Sequence, residues 1–380
     1  MKCIINGKVL LKDKIADDLV VIFDKKIEKI AKCSEVNLSD FEIIDANGKY
    51  VSPGLVDMHI HGYLGADASD GDIEGIKLMA GGIIQNGVTA WCPTTMTVSK
   101  QEIETAFDCI RQVKNSDEYY GARILGVNSE GPFINAAKKG AQAEEHILKP
   151  DADFIIKHSD IVKLFTVAPE VEGALECIEK VSKETDVLIS IGHTNASYEE
   201  AMAGIEKGIQ NTTHLFNAMT VLSHRSPGVV GAALSTDVST ELIADTFHVD
   251  KGLFGLIAKI KGNKLCLITD CIRAGGMPDG DYTLGGQPVH KEGIKCLMDD
   301  GTIAGSVLNL NQAVYNLYSN TDLELYEAVN CASLYPATAL GEADEIGSLE
   351  EGKRADIVIA DEKFNVVTTI LDGVIRYKGE

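Results

Sequence analysis

No Cys-x-x-Cys pair occurs among the nine cysteines, and their number is odd. Neither a zinc ribbon nor a disulfide framework therefore organises the chain. Free thiols point instead to a reducing, cytoplasmic compartment. No apolar run approaches the roughly 18 residues that span a bilayer. The opening MKCIINGKVLL, broken by Asn6-Gly7, has no signal-peptide core. A basic face is missing too: 35 Lys and Arg stand against 57 Asp and Glu, a net charge of −22. That balance excludes nucleic acid and anionic membrane as partners, since both require a cationic surface. It also sets a condition: an anionic small molecule must find local basic groups that reverse the field.

What is present falls into two styles. The N-terminal runs CIINGKVLL, DLVVIFDKKIEKI and IIDANGKYVSPG are short and β-branched, and the C-terminal stretch GSLEEGKRADIVIADEKFNVVTTILDGVIRYKGE resembles them. Neither end has enough strands for a stable sheet alone. We expect residues 1–53 and 345–380 to join in one small β-sandwich domain. Between them, residues 54–344 alternate apolar runs with amphipathic segments. Eight runs stand out: GLVDMHIH, VTAWCPTT, ARILGVNSE, VKLFTVAPE, DVLISIGHT, NTTHLFNAM, TELIADTFH and KLCLITD. Eight β/α units predict an α/β fold, a TIM-type (β/α)8 barrel. No GxGxxG follows the first run, which argues against a nucleotide-binding open sheet. The glycine-rich stretch 271–308 predicts an insertion over the active face.

In such barrels the chemistry lies at the C-terminal strand ends. The runs close on His59 and His61, Glu130, His193, His214, His248 and Asp270. Alternate residues of a strand face one way, so His59 and His61 of DMHIHG can share a centre. Each residue alone reads as a surface histidine or a helix-capping carboxylate. Their joint recurrence at matching strand ends points to a divalent metal bound by imidazole and carboxylate, and to hydrolysis by activated water.

PGLVDMHIHG, SEGPFIN with KKGAQ, GHTNAS, THLFNAM, PGVVGAAL, IADTFHVD, LITDC and GSLEEGKRADIV resemble, in this order, the N-acetylglucosamine-6-phosphate deacetylase family of the amidohydrolase superfamily. The resemblance implies metal-dependent hydrolysis of the N-acetyl group of N-acetyl-D-glucosamine 6-phosphate to glucosamine 6-phosphate and acetate, within amino-sugar catabolism and cell-wall sugar recycling. It implies a zinc or iron ion at Glu130, His193 and His214, and Asp270 as catalytic acid/base. Asn217, Ala218, Arg225 and His248 would hold the sugar phosphate, with Ala141, Gln142, Ile303, Ala304 and Gly305. Gln142 stands where several relatives carry a substrate-contacting histidine. His59 and His61 stand where some relatives have glutamine and asparagine, which leaves room for a second, weaker metal. The fourth run ends FTVAPE without the lysine that bridges many two-metal amidohydrolases, so Glu130 is the remaining bridge. The resemblance also implies a homodimer. The alternative readings are a related amidohydrolase acting on N-acetylgalactosamine 6-phosphate or a cyclic amide, and a non-catalytic scaffold. Retention of the whole ligand set disfavours the scaffold.

Lys138 and Lys139 either steer anions or form a solvated turn. Cys271, beside Asp270, is not needed as a ligand. His146, His158, His224 and His290 have no assigned role.

Overall fold

Every residue of Val88–Thr95 is buried, as expected of a parallel strand covered on both faces. This strand, β2, belongs to a set of eight in the computed structural model, which describes residues 1–379. The others are β1 Leu55–Ile60, β3 Val127–Glu130, β4 Val162–Val167, β5 Leu188–Ile191, β6 Asn211–Thr212, β7 Ser239–Ile243 and β8 Leu265–Ile268. Each pairs in parallel with the next. The ring closes where the Asp270 N–H donates to His59 O and the His61 N–H to Cys271 O, both at 2.8 Å.

The helices α1 Ile73–Ile83, α2 Lys100–Lys114, α3 Ala152–Lys157, α4 Ala174–Glu184, α5 Tyr198–Lys207, α6 Gly228–Ser235, α7 Phe254–Lys261 and α8 Leu310–Ser319 follow the eight strands in turn. Local chemistry sets several starts: Ser99 with Glu102, and Ser197 with Glu200, form capping boxes on α2 and α5. The third run departs from a single strand. Gly126 interrupts it, so Arg123–Ile124 pairs only with β2 while Val127–Glu130 pairs with β2 and β4. Residues 280–297 of the insertion form a three-stranded antiparallel sheet.

Both ends of the chain meet beside the barrel. Tyr50–Pro53 pairs with Lys8–Leu10 on one side and with Ile357–Ala360 on the other, inside a six-stranded sheet that ends in Val374–Lys378. A four-stranded sheet holds Lys2–Ile5, Leu19–Phe23, Ile27–Lys32 and Glu42–Asp45. Ile4, Val21, Phe23, Val51, Ile357 and Ile370 share one core between these sheets. Among the described residues no helix is long and apolar enough to cross a membrane.

Candidate active site

Two of the histidines that close the strands, and Asp270 with them, do so in unusual backbone. His193, His214 and Asp270 have φ of 47°, 25° and 50°, as do Phe216 at 77° and Ala218 at 50°. Left-handed backbone is uncommon outside glycine, and its strain gathers at functional sites. Two glycines make the turns fit. A Cβ on Gly192 would lie 2.6 Å from Thr213 Cβ, and one on Gly305 would lie 2.4 Å from Ile272 Cγ2 and 3.0 Å from Asp270 O. Larger residues would push His193 and Asp270 out of place.

These turns, with the ends of β1 and β3, bring His61, Glu130, His193, His214 and Asp270 into the lining of a cavity of about 400 Å³, with His59 fully buried among them. Glu130 Oε1 lies 2.8 Å from His214 Nε2 and 3.0 Å from His193 Nε2, and those two nitrogens are 3.2 Å apart. Beside this triad, His61 Nε2 lies 3.3 Å from both His59 Nε2 and Asp270 Oδ1, and His59 Nε2 is 3.6 Å from Asp270 Oδ1. Glu130 Oε2 reaches across to His61 Nε2 at 3.2 Å.

Other groups orient the rings. Nδ1 of His61 donates to Thr94 O at 3.1 Å and Nδ1 of His193 to Lys138 O at 2.9 Å. Nδ1 of His59 faces Glu241 Oε2 at 2.9 Å. With Nδ1 engaged in each ring, Nε2 is the nitrogen turned toward the site in all three. Burial by itself would raise the carboxyls of Glu130 and Asp270, but the facing histidines outweigh it and hold both below their ordinary values. Burial would likewise lower His59 and His61. Glu241 and Glu130 instead lift His59 well above its usual value, while Asp270 and Glu130 bring His61 to about 9.

The arrangement fits a divalent cation. Ligand atoms 2.0–2.1 Å from a tetrahedral ion lie about 3.3 Å apart, and the edges of both triads run from 2.8 to 3.6 Å. Buried carboxylates supply the negative charge, and imidazole with carboxylate is a donor set suited to zinc or ferrous iron. All of Glu130, His193 and His214, and of His59, His61 and Asp270, are buried.

Of the remaining sequence-predicted residues, Ala141, Gln142, Asn217, Ala218, His248, Ile303 and Gly305 line the cavity. The His248 ring is fixed by Asp245, whose Oδ2 lies 2.6 Å from Nδ1. Ala304 is fully buried beneath its neighbours. Arg225 is not brought in: it sits on an exposed turn closed by Ser223 and Ser226, outside the lining. Lys138 is the only lysine or arginine lining the cavity among the described residues. Burial drives the Cys271 thiol well above its ordinary pKa, and Cys271 is not in the lining. His158 pairs with Glu104, and His290 with Asp281 and Asp299, away from the site. Glu241 is the residue that the sequence reading missed. It also accepts from Asn211 Nδ2 at 2.9 Å and from the His214 N–H at 3.1 Å.

Eight parallel strands with histidines and carboxylates converging at their C-terminal ends define a barrel of the metal-dependent hydrolase type. Residues 50–376 match the amidohydrolase family. The chain belongs to that family. It is 37% identical to an N-acetylglucosamine-6-phosphate deacetylase of Lysinibacillus sphaericus, over 93% of this chain and 92% of that protein. It is 34% identical to an N-acetylgalactosamine-6-phosphate deacetylase of Escherichia coli O157:H7, over 87% and 89%. A mutant N-acetyl-D-glucosamine-6-phosphate deacetylase of Mycobacterium smegmatis, solved in complex with N-acetyl-D-glucosamine-6-phosphate, is similar in structure, with a TM-score of 0.92, 26% identity and 99% coverage of each chain.

Proposed function

We propose that the protein hydrolyses the acetamido group of N-acetyl-D-glucosamine 6-phosphate, releasing acetate and glucosamine 6-phosphate. The observation that carries this reading is the convergence of two metal-type triads, one of them containing Asp270, under one cavity, in a chain similar throughout to such deacetylases. Glu130, His193 and His214 would hold one ion, and His59 with His61 a second. A bound zinc or ferrous ion supplies Lewis acidity, which lowers the pKa of water and polarises an amide carbonyl.

The chain's own residues do the rest. Asp270, held ionised by the histidines it faces, accepts a proton as water attacks the acetyl carbon. It then returns that proton to the sugar nitrogen as the C–N bond breaks, because an amine is too basic to leave as an anion. Asn217, the Ala218 turn and His248, with Ala141, Ile303 and Gly305, hold the sugar phosphate in the cavity that they line. Lys138 offsets the molecule's negative field near the mouth. Arg225, exposed on its turn, serves a site only when a second copy presents it, so we read the working unit as a homodimer. We place it in the cytoplasm.

The similarity to an N-acetylgalactosamine-6-phosphate deacetylase supports a second reading, the 4-epimer as substrate. Metal-stripped protein, reloaded separately with zinc and with ferrous iron, is assayed for acetate release from both epimers. We expect metal-dependent release with a higher kcat/KM for the gluco epimer. A higher value for the galacto epimer reverses the substrate assignment. No release from either, in protein that has taken up metal, overturns the function.

A further inference from the structure

Gln142 lines the cavity, yet its side chain is not offered to a ligand there. It is 2% exposed, and both of its polar ends are engaged by protein. The Thr97 N–H can only donate, and it lies 2.6 Å from Gln142 Oε1. This contact fixes which way round the amide sits. The NH₂ end is therefore the one that faces Glu130, with Nε2 at 2.5 Å from Oε2. A donor against an ionised carboxylate makes a charge-assisted bond, stronger than one between neutral groups.

Glu130 needs such a restraint more than any other carboxylate at the site. Its Oε1 serves His214 and His193 at 2.8 and 3.0 Å, while its Oε2 lies 3.2 Å from His61 in the neighbouring triad. Rotation of the carboxylate would exchange these roles. The backbone of Thr97, two residues beyond β2, restrains Gln142, and Gln142 restrains Glu130.

We propose that Gln142 is a positioning residue for the metal centre rather than a substrate contact, holding Glu130 so that Oε1 faces His193 and His214. This rests on the reading of Glu130, His193 and His214 as metal ligands. Partners that orient ligands in this way are worth about 10–100-fold in metal affinity.

The test uses Gln142→Ala and the shape-preserving Gln142→Met, each stripped of metal and titrated with Zn²⁺ against a chelating indicator, with circular dichroism to confirm folding. We expect the Kd of the first zinc to rise about 10–100-fold in both. At saturating zinc, KM for the sugar phosphate should stay within about threefold of the parent. Unchanged zinc affinity, with or without a raised KM, overturns the proposal. So does a first-zinc Kd at the parent value in whichever single variant folds. Glu130→Gln separates the two levels of the argument. If it binds zinc as the parent does, the metal assignment itself has failed. If it loses zinc while the Gln142 variants keep it, only the role of Gln142 has failed.

Discussion

Asp270 is held at the site through its backbone as much as through its side chain. Its N–H donates to His59 O, its carbonyl accepts from the Ser306 N–H, and its φ is 50°. The carboxylate is thus fixed against His61 before any substrate arrives. Asp270→Asn keeps the shape and removes the proton acceptor. We expect kcat to fall 10²–10⁴-fold, the range for general acid–base catalysis, while zinc at Glu130, His193 and His214 is retained. A kcat within tenfold of the parent, measured on metal-loaded protein, would discard the role. Asp270 was legible because it closes an apolar run. Glu241 was not: it lies inside TELIAD, where a carboxylate on a strand reads as a solvent-facing position. Only closure of the barrel turns that position inward, onto the back of His59. For Arg225 the sequence left open whether it acts in its own chain or in a second copy, and within one chain it lies outside the cavity lining.

At the scale of elements, the eight repeats could be read because parallel strands buried on both faces give unbroken apolar runs. What the runs hid was their length. The sixth run, NTTHLFNAM, contains only two strand residues, and the rest is the left-handed turn that presents His214 and Ala218. The pairing of the two chain ends has its own electrostatic clasp. Glu350 accepts from Lys12 at 2.8 Å and from Ser348 at 2.6 Å, with Lys353 Nζ at 3.0 Å. These bonds, chiefly the one from Lys12, lower its carboxyl to about 2. A depressed carboxylate contributes stability above its unfolded pKa of about 4.3, and that contribution fades as pH falls toward 2. Glu350→Gln should therefore unfold at lower urea concentration than the parent at pH 7, and the gap should narrow by more than half at pH 3. A gap that is constant with pH would mean that the ionised clasp adds nothing.

For the whole molecule, the charge of −22 and an anionic substrate are reconciled only if cations are concentrated at the cavity mouth. Lys138 lines the cavity itself; the exposed Arg225 turn, with Val221 and Leu222 uncovered beside it at 72% and 53%, would add a second only across a dimer. In a homodimer that passes Arg225 across, two crippled chains should repair one another. Arg225→Ala chains retain Asp270 and need a neighbour's arginine, which Asp270→Asn chains still carry. Mixing the two inactive variants under subunit exchange should restore activity to one site per mixed dimer. No gain above the sum of the separate variants would place Arg225 outside the reaction.

The sheet shared by both chain ends also bears on how the protein is made. Tyr50–Pro53 leaves the ribosome about 300 residues before its partner Ile357–Ala360. At 5–20 residues per second, that strand waits roughly 15–60 s with one edge unpaired. The barrel is completed during this interval, while the first strands remain a bare β-edge, the kind of surface that recruits wrong neighbours. The vulnerable period of this protein therefore falls during its synthesis, and holding that edge is the task a chaperone would have.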